Sequence, residues 1–121
     1  MKLIAHGKVS GYCPSPSIKV WGRKNLVEKY KQDLLKADPR TQHFPKQHRF
    51  SVRIDFHLRS PRLQLSDLDN LSKTVLDGLF GTFGQKGSSP NDRFVWRLEA
   101  TKINTDNEEF TEFWIFDEGS I

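Results

Sequence analysis

Between Arg49 and Leu58 the chain alternates without a break. Phe50, Val52, Ile54, Phe56 and Leu58 are apolar, while Ser51, Arg53, Asp55 and His57 are polar. Successive side chains of a strand point to opposite faces, so this period of two assigns a strand with one buried face. A helix would scatter these five apolar groups over opposite sides of its circumference. The rest of the chain must therefore supply further strands and something to cover the apolar face.

The segment Lys2–Ser10 alternates more loosely, with Leu3, Ala5 and Val9 on one side, and reads as a strand. Gly11–Gly22, dense in proline, glycine and serine, reads as a loop. Asn25–Ala37 reads as a helix. Asn25 and Glu28 resemble a capping box, Leu26, Val27, Tyr30 and Leu34 form a stripe, and Asp38-Pro39 ends it. Leu68–Phe80 is a second helix, with Leu68, Leu71, Val75, Leu76 and Leu79 on its buried side and Ser66 or Asp67 as N-cap. Gly81 closes it, and a glycine-rich loop runs to Pro90. Arg93–Ile103 and Phe110–Phe116 read as strands joined by a turn at Asn104–Asn107, hence as a hairpin. The expected order is β-α-β-α-β-β: one α+β domain over residues 1–121, with a mixed sheet of about four strands and two main helices. Trp96, Trp114 and the strand phenylalanines are expected in the core.

At 121 residues the chain can bury a core without metal or disulfide staples. The single cysteine, Cys13, excludes an intrachain disulfide and a cysteine-rich zinc site. A reducing, cytoplasmic setting is the simplest expectation. No apolar run approaches a membrane span, and no phosphate-cradling glycine motif points to a nucleotide cofactor. The net charge of +4, from 19 basic and 15 acidic residues, permits a nucleic acid partner without demanding one.

The informative stretch is Ser66-Asp67-Leu68-Asp69-Asn70-Leu71-Ser72-Lys73. Asp69, Lys73 and Asp77 recur at a spacing of four, which places them on one helix face. Asp92 opens the next strand. Were that strand to start beside the helix start, Asp67, Asp69 and Asp92 would converge. Three carboxylates repel unless a cation lies between them, and magnesium suits oxygen ligands and phosphodiester hydrolysis. Lys73 would then stabilise charge on the phosphate. The alternative is equally physical: Asp67 and Asp69 are what any helix favours in its first turn, Asp69–Lys73 is a surface pair, and Asp92 belongs to a turn.

With Asp67-Leu68-Asp69-Asn70-Leu71-x-Lys73 followed by Leu76-Asp77-Gly78-Leu79, the sequence resembles the RusA family of Holliday junction resolvases from Val52 to Ile103. The resemblance implies magnesium-binding catalytic acids at Asp67, Asp69 and Asp92, a catalytic lysine at Lys73, and Mg2+ as cofactor with Mn2+ as a substitute. It implies a homodimer that nicks four-way DNA junctions in pairs, in recombination and repair; many members are carried by phages. Three departures stand out. Asn91 replaces the first acid of an acidic pair, Arg59 and Arg62 are more dispersed than the family's arginine run, and the loop before Asn91 is longer.

For a DNA partner, Lys46, Arg49, Arg53, Arg59, Arg62 and Lys86 are the candidate phosphate contacts. The acidic end, Glu108, Glu109, Glu112, Asp117 and Glu118, is expected to face away. Phe83 would either stack on a base or enter a dimer interface. Asp55 and His57 share the polar strand face, with Asp55 a further acid for the metal. Cys13 is expected to lack a partner. Two other readings remain: a branched-DNA-binding protein that does not cut, and a structural subunit whose acids only cap a helix.

Overall fold

The strand with the clean alternation lies inside the sheet. The computed structural model describes residues 1–11, 13, 20–80 and 92–121, with side chains of the last two stretches from 28 to 80 and from 93 to 121. The loops expected around Pro14–Pro16 and Gly81–Pro90, and with them Phe83, Lys86 and Asn91, lie outside the described residues. The elements are β1 (Lys2–Ser10), α1 (Val20–Ala37), β2 (His48–Leu58), the one-turn helix α2 (Arg62–Leu65), α3 (Leu68–Phe80), β3 (Val95–Asn104) and β4 (Phe110–Ser120). Short 3-10 turns cover Pro39–Gln42 and Asp92–Phe94. This is an α+β domain with a mixed four-stranded sheet in the order β1-β4-β2-β3.

That order overturns the expected C-terminal hairpin. β4 pairs antiparallel with both β1 and β2, whereas β3 runs parallel to β2 on its other side. Val52 thus lies between Ile115 and Leu98, and Ile54 between Phe113 and Ala100. Alternation reports which face a residue occupies and carries no information about which strand lies next to it. A parallel neighbour needs a crossover, and α3 supplies it between β2 and β3. The chain then passes the end of β2 to reach β4, held there by the Thr105 N–H donating to the Leu58 carbonyl at 3.0 Å.

α1 also departs from expectation. It begins at Val20, so Asn25 lies inside it rather than at its N-cap. A capping-type spacing is a local signal and does not prevent the helix from starting earlier, with Gly22 tolerated at a modest cost.

One face of the sheet carries Phe50, Val52, Ile54, Phe56, Leu58, Phe113 and Ile115, all buried. Against it pack Leu71, Val75, Leu79 and Phe80 of α3 and Tyr30 and Leu34 of α1. The rings of Phe44, Phe50 and Phe80 close one end, with centroids 5.1–5.7 Å apart. Cys13 is buried too, and its thiol donates to the Leu71 carbonyl at 3.6 Å. Burial pushes that thiol up to about 12, so it is an inert packing group rather than a partnerless one.

The opposite face is lined by its own side chains. His6 stacks on Trp114 at 5.1 Å with Arg53 on the same indole at 4.8 Å, and His57 stacks on Phe110 at 4.0 Å. Trp114 is therefore half-buried on the outer face, and Trp96 at the sheet edge is 61% exposed. Neither belongs to the core that tryptophan's size led one to expect. Asp55 is buried on this outer face, away from the helices, because β2 has strands on both sides of it.

Two local devices hold α1 to the sheet. Gly7 lets β1 approach the helix: a Cβ there would lie 2.9 Å from Ala37 Cβ and 3.0 Å from the Phe113 ring. Gly7→Ala is expected to cost about 1–3 kcal/mol by overpacking, read as a lower urea midpoint. The second device is Asp38, just past the end of α1. Its carboxylate accepts from the His6 N–H at 2.9 Å and from the Arg40 backbone and guanidinium at 2.7–3.0 Å.

Burial alone would raise the Asp38 carboxyl, but the hydrogen bonds from Arg40 and the His6 N–H outweigh it and hold it below its ordinary 3.8. A carboxylate lowered on folding contributes stability above its unfolded value, and the contribution is lost as pH falls through the folded value. Asp38→Asn is therefore expected to be less stable than wild type near neutrality, with the gap closing below about pH 4. Urea midpoints across that range check it; a gap independent of pH would show that the charge contributes nothing.

Candidate functional site

The acids singled out above lie at the corner between α2 and α3. Leu58 ends β2, the cis Ser60-Pro61 bond turns the chain, and α2 leads through Ser66 to Asp67. Asp67 caps α3: its Oδ1 accepts from the Asp69 N–H at 3.0 Å and its carbonyl from the Leu71 N–H. The helix is then anchored by the apolar stripe, which aims Asp67, Asp69 and Lys73 outward, all exposed. Asp77, on the same expected face, is buried, and the next residue, Gly78, lies against Leu34 of α1.

The corner is held from β3. Lys102 Nζ donates to the carbonyls of Leu63 at 2.8 Å and Ser66 at 2.9 Å. Glu109, between β3 and β4, accepts from the Arg59 N–H at 2.9 Å and from Arg62 Nε at 3.0 Å. Glu109 thus sits beside the candidate site, contrary to the expectation that the acidic end faces away. The β3–β4 link crosses the end of β2 and brings it there. Lys102 did not stand out in the sequence, and Glu109 did so only within the acidic end, since both act through strand pairings that local pattern does not carry.

The third acid is placed elsewhere. β3 starts at Val95 opposite Phe50, and the Asp92–Phe94 turn precedes it. Phe80, the last residue of α3, packs on Phe50 at that same end. From Asp69 to Phe80 the helix rises about 16 Å. The supposition that β3 starts beside the helix start is therefore overturned: in a parallel crossover the helix runs against the strands, so its N-terminus meets the far end of the next strand. The backbone of Asp92 and the carboxylates of Asp67 and Asp69 lie at opposite ends of α3 within one chain. The side chain of Asp92 lies outside the described residues.

The basic residues are also dispersed. Arg59 and Arg62 flank the acids, Arg49 and Arg53 lie along the outer sheet face, and exposed Lys46 sits in the turn before β2 at the other end. Arg53 pairs with Asp55 at 3.3 Å, and an Arg49 Nη donates to the Glu118 carbonyl at 3.0 Å.

Among the described residues no group of three or more His, Cys, Asp or Glu could hold a metal ion. Two carboxylates remain compatible with magnesium, which keeps several waters and often binds through one or two protein oxygens. Oδ2 of Asp67 and both carboxylate oxygens of Asp69 make no hydrogen bond among the described residues, and both residues are exposed.

No family model and no curated protein matches the chain. Among solved structures it is similar to TubZ of Bacillus thuringiensis serovar israelensis, in GDP-form protofilaments (TM-score 0.42, 11% identity) and in a GTPγS-form protofilament (TM-score 0.42, 12% identity). Each likeness covers 96% of this chain and 25% of the other. The chain therefore spans a quarter of those proteins' length, and likeness at this level bears on neither activity nor partners. No described helix is long and apolar enough to cross a membrane.

Proposed function

We propose that this chain is a magnesium-dependent endonuclease of the RusA type, cutting four-way DNA junctions as a homodimer in the cytoplasm. The observation that carries the reading is the exposed Asp67-x-Asp69 pair at the start of α3 with Lys73 one turn along. That is the segment in which the sequence resembles the family.

Asp67 and Asp69 would hold the cation, and Mn2+ would fill the same place. When bound, it supplies a polarised phosphate oxygen and a water of lowered pKa. The chain's own part is positioning. The Asp69 N–H fixes Asp67 and leaves its second oxygen free to face outward. Lys102 keeps the corner from shifting against β3. The Lys73 ammonium, exposed one turn along α3, would neutralise charge on a phosphate lying across that first turn. Arg59 and Arg62 are the nearest cations for the flanking phosphates, and Lys46, Arg49, Arg53 and Lys86 would meet DNA only farther out.

The separation of Asp92 from the pair favours one other reading, a branched-DNA-binding protein that does not cut. A labelled synthetic four-way junction incubated with protein and magnesium separates the two, with a plain duplex and a chelator control alongside. Paired symmetric nicks, specific to the junction and lost with chelator, are expected. A shifted junction without nicks in either magnesium or manganese would replace the endonuclease reading by the binding one. No binding at all would remove both.

A further inference from the structure

The link between β3 and β4 carries Glu109 to the exit of β2, where two donors converge on its carboxylate. The Arg59 N–H donates to Oε2 at 2.9 Å, and Arg62 Nε donates to both oxygens, at 3.0 and 3.2 Å. A main-chain N–H beside a guanidinium is a donor set by which proteins hold a phosphate. A carboxylate offers the same charge and the same kind of acceptor oxygens. Glu109 therefore fills the place that an anion from outside would take.

The corner does not need this pair to keep its shape. Lys102 Nζ already fixes the carbonyls of Leu63 and Ser66, and the Thr105 N–H ties the β3–β4 link to the Leu58 carbonyl. The backbone of Glu109 is held independently, because its carbonyl accepts from the Gly11 N–H at 2.8 Å. Its carboxylate can thus leave by rotation of the side chain alone, with the link in place. The two partners also differ in access. Of the Arg62 side chain 45% is open to solvent, against 13% for Glu109, so an incoming anion meets the guanidinium first. An ion pair with one partner this exposed is worth about 0–1 kcal/mol, little enough for a phosphate to displace.

We propose that the Arg59 N–H and the Arg62 guanidinium form a phosphate site, that Glu109 occupies it as an internal stand-in, and that a DNA backbone phosphate displaces Glu109 on binding. Arg62 is then masked in the free protein. A phosphate placed well enough to take both donors releases Glu109, whereas one that reaches only Arg62 meets a charge already neutralised. That the phosphate belongs to DNA rests on the nucleic-acid reading above; the anion site rests on the contacts of Glu109 alone.

Fluorescence anisotropy of a labelled four-way junction, measured in chelator so that nothing is cut, reads the exchange. Glu109→Gln removes the competing charge and keeps the shape of the side chain. It is expected to bind roughly threefold to tenfold tighter than wild type at low salt, with a salt dependence steeper by about one counterion. Adding Arg62→Gln is expected to abolish that gain, so that Arg62→Gln binds alike with and without Glu109→Gln. Circular dichroism and urea midpoints of the same preparations are expected to stay unchanged. Binding by Glu109→Gln no tighter than wild type would overturn the exchange and leave Glu109 a structural support. A gain that survives Arg62→Gln would also overturn it, making Glu109 a general source of repulsion.

Inorganic phosphate probes the site without DNA. Titrated into Glu109→Gln, it is expected to shift the Arg59 amide resonance, and to shift it less in wild type. That shift without junction binding by any variant would keep the anion site and remove the nucleic-acid reading. Junction binding by wild type, with neither the amide shift nor the gain in Glu109→Gln, would remove the site and leave that reading standing.

Discussion

Asp67→Asn and Asp69→Asn are each expected to reduce magnesium-dependent nicking of a four-way junction on the order of a hundredfold or more, with little change in stability. Asparagine keeps the shape of aspartate and its ability to cap, so the Asp67 hydrogen bond to the Asp69 N–H survives. What is lost is the negative charge that would hold a cation. This makes the pair of substitutions discriminating. If the acids only cap α3, Asp67→Asn changes nothing, whereas Asp67→Ala costs about 1 kcal/mol of stability. Nicking rates and urea midpoints measured on the same preparations give both answers. Undiminished nicking in both Asn variants would end the metal-site reading of this corner. Unfolding in either would show that the corner is structural in a way the exposed carboxylates do not suggest.

The largest effect on stability is expected from Phe80→Ala, about 3–5 kcal/mol. Phe80 is fully buried as the last residue of α3, stacked on Phe44 at 5.1 Å and tilted on Phe50 at 5.6 Å. Truncation removes apolar burial and leaves a cavity that two rigid rings cannot refill. The site of the loss matters as much as its size. Phe80 fastens the end of the crossover from which the chain sets out toward β3, so the parallel pairing of β2 with β3 depends on it. Native-state hydrogen exchange is expected to show β3 losing protection before β4. A loss below about 1 kcal/mol would mean that the ring cluster repacks freely, which the close packing of cores argues against.

Much of this arrangement is legible one element at a time. The alternation from Phe50 to Leu58 assigns β2 and its buried face, and every one of its five apolar residues is buried. The stripe of Leu71, Val75 and Leu79 assigns α3 and its buried side. The Asp67 cap is readable because capping is a matter of a few consecutive residues. The start of α1 is less so, since Asn25 carries a capping pattern in a helix that has already begun at Val20.

What lay beyond the sequence concerns relations between elements. The same alternation in β3 is compatible with a hairpin to β4 or with a parallel place beside β2. Only the packing of α3 over the sheet selects the second. From that one choice follow the distance between Asp92 and the Asp67–Asp69 pair, the anchoring of the corner by Lys102, the meeting of Glu109 with Arg62, and the open edge that carries Trp96, Arg97, Leu98 and Glu99. The faces follow from local pattern, because the periodicity of side chains is a direct consequence of backbone geometry. The neighbours follow only from the packed fold, because strand partners are chosen by burial summed over the whole apolar face, which no short segment contains.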